Sequence, residues 1–325
     1  MAKAIEQLSA SGWTVGHVAL GLHGTVSGSV KQQTHDGDTI IVQAVGNLGV
    51  RFLGVDAPEI SFTLPGGRSF IRLSDPQWED FLRDPFAASS PPFEPPLSPA
   101  LLCHLRACVG PGAAMNHHLH ASAAEDALEE EILKDAAVLG QSAAELRFFL
   151  VFAQEVMDGY GRLLCYLNRE QPDANLPEPR PRSYNERLLR LGQVAPYFIW
   201  PNINPFLAKG QRGSILEAVP APGTAHSLAV SDPALRDARQ SVQEARRQGI
   251  GIYHASQPLR LHPFEVRFLS RRRPPDRWVI DLSLDDDVLI QPQNYHTIQH
   301  AEDRLWIPQE YIPLFVEAGW RRQAC

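Results

Sequence analysis

The sequence predicts an α+β chain: a five-stranded OB-fold barrel with added helices, plus a small C-terminal module. Three observations predict it. Strand-like and helix-like runs follow in the order β-β-β-α-β-β-α, which suits a small, partly open Greek-key barrel. An Asp-Gly turn at His35-Asp36-Gly37-Asp38 joins two β-rich runs, a hairpin signal. The 27 prolines cluster at 85–99, 172–181, 196–205 and 258–275, where they mark loops.

Residues 25–30, 39–45 and 50–55 read as strands, rich in Val, Ile and Thr and separated by turns. Residues 60–115 mix Pro, Gly, Ser and isolated aromatics such as Phe62, Trp78 and Phe93 without a sustained period. They read as a long, partly ordered insertion. Residues 117–139 read as a helix, with Ala121, Ala124, Leu128, Ile132 and Leu139 on one face and Glu129-Glu130-Glu131 in solvent. His117 and His120 are expected as exposed imidazoles at its start. Strands at 146–156 and 162–167 flank the turn Asp158-Gly159-Tyr160-Gly161. Ser183 with Glu186 three residues on forms a capping-box pattern for a helix to Leu191. An Ala/Arg/Gln-rich helix at 232–248 is stopped by Gly249. Residues 258–325, with their own turn prolines and strand candidates at 277–282 and 288–290, read as a separate module packed against a domain at 1–257.

Composition bounds the function. The 325 residues are 44% hydrophobic and 21% charged, as in ordinary globular chains. No apolar run is long enough to predict a membrane span. The start, 1–7, does not read as a secretory signal, so a cytoplasmic location is expected. The four cysteines, Cys103, Cys108, Cys165 and Cys325, form no disulfide framework; free thiols are expected, with a Cys103–Cys108 bridge as the alternative for an exported chain. The net charge of −7 argues against binding by nonspecific phosphate attraction alone. A nucleic-acid site here must be locally positive or use a bound cation.

The segment 35–59 carries the chemistry. Asp38 opens one predicted strand and Asp56 closes another. If the strands pair, two carboxylates converge on one ion, and oxygen ligands suit a hard cation such as calcium or magnesium. Pro58 biases Ala57 towards an extended conformation, which offers the Ala57 carbonyl as a third oxygen. Glu59 lies one step further out, placed to hold a water. Arg51, and Arg162 after the glycine turn, supply planar forks that match phosphate oxygens.

These motifs, in this order, resemble the staphylococcal nuclease (thermonuclease) family. The resemblance rests on His35-Asp36-Gly37-Asp38-Thr39, on Val50-Arg51-Phe52-Leu53-Gly54-Val55-Asp56-Ala57-Pro58-Glu59, on Asp158-Gly159-Tyr160-Gly161-Arg162, on the stretch Tyr184 to Ala195, similar to the family's second helix, and on Leu235 to Tyr253, similar to its closing helix and tail. It covers roughly 25–60 and 117–254. It implies an OB-fold barrel and calcium-dependent hydrolysis of DNA, RNA or both that leaves 3′-phosphate ends, with magnesium or manganese as substitutes. By motif position it implies Asp38, Asp56 and the Ala57 carbonyl as metal ligands, with Asp36 as a supporting acid. Glu59 would orient or deprotonate the water, and Arg51 and Arg162 would clamp the phosphate. Tyr160, Phe198 and Trp200 fall where the family holds the nucleotide. Gly159 departs from the family lysine, and Phe198 and Trp200 lack the tyrosine hydroxyl, which Tyr197 next door would supply if the alignment slips by one. A catalytically silent nucleic-acid-binding or scaffold protein on the same barrel is the alternative.

Overall fold

A computed structural model describes residues 3–8, 13–23, 26–27, 34–35, 39–171, 181–204 and 215–324. The fold is mixed α+β. The chain forms two compact units: Met1–Phe52 with Phe152–Cys165, and Leu53–Val151 with Tyr166–Cys325.

The first unit is made of short ladders. Ile5–Gln7 pairs with Thr14–Gly16, Val18–Leu20 with Val42–Ala44, and Thr34–His35 with Thr39–Ile40, all antiparallel. Gly49–Phe52 runs parallel to Arg162–Cys165. Gly161 sits at φ +80°, and a Cβ there would lie 2.5 Å from Cγ2 of Ile5, so only glycine fits this turn. Among the described residues no sheet closes into the expected barrel. The ladders just named are only two to four residue pairs long, and the strand that carries Asp56 pairs elsewhere.

The second unit centres on a four-stranded sheet: β1 (Gly54–Asp56), β2 (Ala195–Ile199), β3 (Trp278–Asp281) and β4 (Arg304–Ile307). The spatial order is β1-β2-β4-β3. β1/β2 and β4/β3 are antiparallel, and β2/β4 is parallel. Among the described residues eight helices surround or extend it: α1 (Pro76–Arg83), α2 (Pro99–Cys108), α3 (Ala113–Leu139), α4 (Tyr184–Arg190), α5 (Ala225–Ser231), α6 (Pro233–Gln248), α7 (Pro263–Arg271) and α8 (Ile312–Glu317). The helix starts follow from local chemistry. Asp75, Ser98 and Asp232 accept main-chain N–H bonds as N-caps, and a proline follows each at the first helical position. Ser183 and Glu186 close the expected capping box on α4, and Gly249 ends α6 in the left-handed region.

Two expectations about organisation change. Residues 60–115 are part of the core: Leu73, Trp78, Leu82, Leu101 and Leu105 are buried together with Val279, Tyr295 and Trp306. Their aromatics are spaced irregularly because they come from a hairpin, two short helices and loops rather than one periodic element. Residues 258–325 lie in the same compact unit as 53–151, and supply its inner strand β4 and edge strand β3.

A buried ion network ties α3 to α4 and to the strand Arg162–Arg169. Asp135 accepts from Arg169 at 2.9 Å, from Arg187 at 2.7 Å and from the Tyr184 hydroxyl at 2.8 Å. Arg187 also reaches Glu131, and lies 4.4 Å over the Tyr184 ring. Asn185 bridges two main chains: it donates to the Leu53 carbonyl at 2.9 Å and accepts from the Leu167 amide at 3.1 Å.

Candidate active site

Asp56 closes β1 opposite Ala195, so register fixes where its side chain emerges. It is 2% exposed. Ala57 is exposed, Pro58 is buried, and Glu59 is partly exposed at the start of the next segment. The Glu59 N–H donates to Nε2 of His117 on α3 at 2.8 Å. Opposite the acids stands Arg267, in the middle of α7. Its Nη1 lies 2.9 Å from Asp56 Oδ1 and 2.7 Å from Glu59 Oε1, and its Nη2 lies 2.7 Å from Asp56 Oδ2. Two carboxylates therefore meet on one positive centre. The fork on Asp56 is bidentate, the strong form of this pairing.

Burial works against the Arg267 charge, but Asp56 and then Glu59 outweigh it and hold its pKa above the ordinary arginine value. Burial is the main cause that pushes His117 down to about 3, with the Asp56 charge opposing. The hydrogen bond agrees: a main-chain N–H only donates, so Nε2 must be unprotonated. Stability should register this. An unfolded histidine titrates near pH ~6.5, so between there and about pH 3 the unfolded chain holds one more proton at this position. Stability from this group is complete above that window, and falls by up to ~1.4 kcal/mol per unit as pH drops through it. His117→Gln keeps an acceptor for the Glu59 amide without titrating. Denaturant unfolding at several pH values is expected to show a shallower acid slope for this variant, by about one proton. An unchanged slope would assign the acid loss to other groups.

Arg51 and Arg162 lie in the first unit, on adjacent parallel strands. The register pairs Arg162 with Gly49 and Leu164 with Arg51. Side chains alternate along strands, so both arginines share one face. A Cβ on Gly49 would come 3.1 Å from Cγ of Arg162, so the missing side chain leaves room for the guanidinium stem. Asp158 orients the turn: its Oδ1 accepts from the Tyr160 and Arg162 amides, and its Oδ2 pairs with the Arg162 guanidinium at 2.7 Å. Tyr160 is 58% exposed, with Arg162 5.4 Å over its ring. A cation over an exposed aromatic face suits phosphate and base contact together.

The remaining sequence-based candidates fall differently. Asp36 and Asp38 lie outside the described residues. Phe198 and Trp200 are 3% and 1% exposed and pack in the core, where no base can stack on them. Tyr197 is also buried, and its hydroxyl accepts from Arg277 at 2.9 Å. The histidines at the start of α3 are not exposed as expected. His117 is fully buried, and His120 bonds the Gln257 carbonyl at 3.0 Å, because residues 257–261 cover that helix face. Arg272 is folded over Phe93 at 4.0 Å and donates to the Pro85 and Pro91 carbonyls.

Sequence reading missed Arg267 and the role of His117. The one local signal for Arg267 is a lone charge inside the apolar run Val266-Arg267-Phe268-Leu269, a position that calls for a buried acid. Among the described residues, no group of three or more His, Cys, Asp or Glu side chains is arranged to hold a metal. The donor chemistry of Asp56 and Glu59 nonetheless fits a hard cation, since their oxygens already converge on a single cationic nitrogen. Comparison with family models, with curated proteins and with solved structures finds no match for this chain.

Proposed function

We propose that the chain is a divalent-cation-dependent phosphodiesterase acting on DNA, RNA or both, of the staphylococcal-nuclease type and built on an OB-fold-derived framework. The observation that carries the reading is the convergence of Asp56 and Glu59 on one positive centre, in a chain with that family's ordered motifs. When bound, calcium (or magnesium or manganese) would polarise a phosphoryl oxygen and acidify a water. Asp56 and the Ala57 carbonyl would hold the cation, with Asp38 and, behind it, Asp36 completing the acid set. Glu59 aligns the water or takes its proton, and His117 fixes the Glu59 main chain while it does so. By the resemblance alone, Arg51 and Arg162 would neutralise charge that grows on the phosphate, and Tyr160 would offer a face to the nucleotide. No helix among the described residues is long and apolar enough to cross a membrane, and a cytoplasmic location belongs to the same proposal.

The test is cleavage of single- and double-stranded substrates with calcium and with a chelator. Cleavage is expected with calcium, and chelation or Glu59→Gln should reduce it by about 10²-fold or more. Binding of single strands without cleavage at any metal concentration would instead establish the silent, binding-only reading. One observation favours that second reading: in the described arrangement both acids are paired with a guanidinium of the chain itself.

A further inference from the structure

We propose that Arg267 is the resident counter-ion of the acid pair, that it and a divalent cation exclude one another there, and that segment 258–325 therefore sets the metal affinity of the site. The inference rests on the reading above for its functional consequence alone.

The geometry is one of saturation. Both Asp56 carboxylate oxygens are held by the two Nη atoms of one guanidinium, and the Glu59 oxygen nearest them accepts from Nη1. Calcium needs carboxylate oxygens at about 2.3–2.6 Å, the distance range of its own coordination sphere. A guanidinium 2.7 Å and 2.9 Å from the same oxygens stands where the ion would sit. Charge points the same way. Arg267 already offsets one of the two carboxylate charges, and a dication entering at the same oxygens meets its like charge at close range, so the attraction is weakened until the arginine withdraws.

Arg267 is built in rather than draped over the surface. It projects from α7, whose Phe264, Val266, Phe268 and Leu269 are buried in the core. The helix is fixed at its start by the reciprocal bonds of His262 and Glu265, and Glu265 is held by the Tyr295 hydroxyl at 2.5 Å and His104 at 3.1 Å. The acid side is fixed by β1 and by the His117 bond to Glu59. Metal entry is therefore a change of Arg267 rotamer or of α7, opposed by a bidentate buried pair.

The test uses the full chain and reads calcium binding by calorimetry, independent of cleavage. Arg267→Met fills the volume without charge, and Arg267→Lys keeps the charge but loses the fork. Arg267→Met is expected to bind calcium at least about 10-fold more tightly than the parent chain, with Arg267→Lys between them. Calcium should raise the melting temperature of the variants more than that of the parent. If Arg267→Met does not fold, Arg267→Lys carries the comparison. Equal calcium affinity and equal thermal shifts in parent and variant would overturn the proposal. Cleavage by a parent chain with unchanged calcium affinity in the variants would sink the competition and leave the nuclease reading standing. Tighter binding in the variants without any cleavage would do the reverse.

Discussion

Asp135→Ala is expected to lower the unfolding free energy by about 3–5 kcal/mol. Asp135 is 3% exposed and is the common acceptor of Arg169, Arg187 and Tyr184. Its loss strips the guanidinium of Arg169, 1% exposed, of its carboxylate partner at 2.9 Å, while the neutral Gln171 amide oxygen still accepts from it. Removing one partner of a buried pair costs far more than the pair contributes, because the stranded charge keeps its desolvation penalty. Asp135→Asn keeps the shape and one acceptor oxygen, and should fall between parent and alanine variant. Urea denaturation with a two-state fit measures the difference. A loss under about 1 kcal/mol would mean that water reaches the network, as at an exposed pair.

Trp200→Ala is expected to cost a similar amount, about 3–5 kcal/mol, through the cavity it leaves. Trp200 packs edge-on against Phe315 and Tyr311 at centroid distances of 4.9 and 5.0 Å, and its Nε1 donates to the Ala218 carbonyl at 3.0 Å. This outcome separates two roles for one residue. A base-stacking tryptophan would lose about 1–3 kcal/mol of single-strand affinity per base with stability little changed. A core tryptophan loses stability, while the folded fraction binds as before. Denaturation and single-strand titration of the same variant distinguish them, and lost affinity with an unchanged midpoint would return Trp200 to the substrate face.

The Trp200 case shows where sequence reasoning went astray. Motif position put Phe198 and Trp200 near the nucleotide, yet Ala195-Pro196-Tyr197-Phe198-Ile199-Trp200 is an almost unbroken apolar run. Such a run marks a strand covered on both faces, and Ala195 to Phe198 of β2 are indeed all buried. Helix boundaries were legible because caps act over three or four residues. Ser183 with Glu186, Asp232 with Pro233, and Gly249 all work locally. Arg267 was not legible as a partner of Asp56, since the pair is 211 residues apart and no local pattern encodes it. The sheet order was hidden for the same reason: β4 inserts between β2 and β3 from the far end of the chain.

That late insertion has a consequence for biosynthesis. A ribosome releases β1 and its acids early, but the strand that joins β2 to β3 emerges roughly a hundred residues after β2, and Arg267 some two hundred after Asp56, distances that favour slow, non-local closure. Until then the nascent carboxylates stay hydrated, and the partial sheet has an open edge at β2. Closure of this sheet therefore waits until most of the chain has emerged, and holdase protection during translation would matter more for it than for a chain that folds from its N-terminus onward.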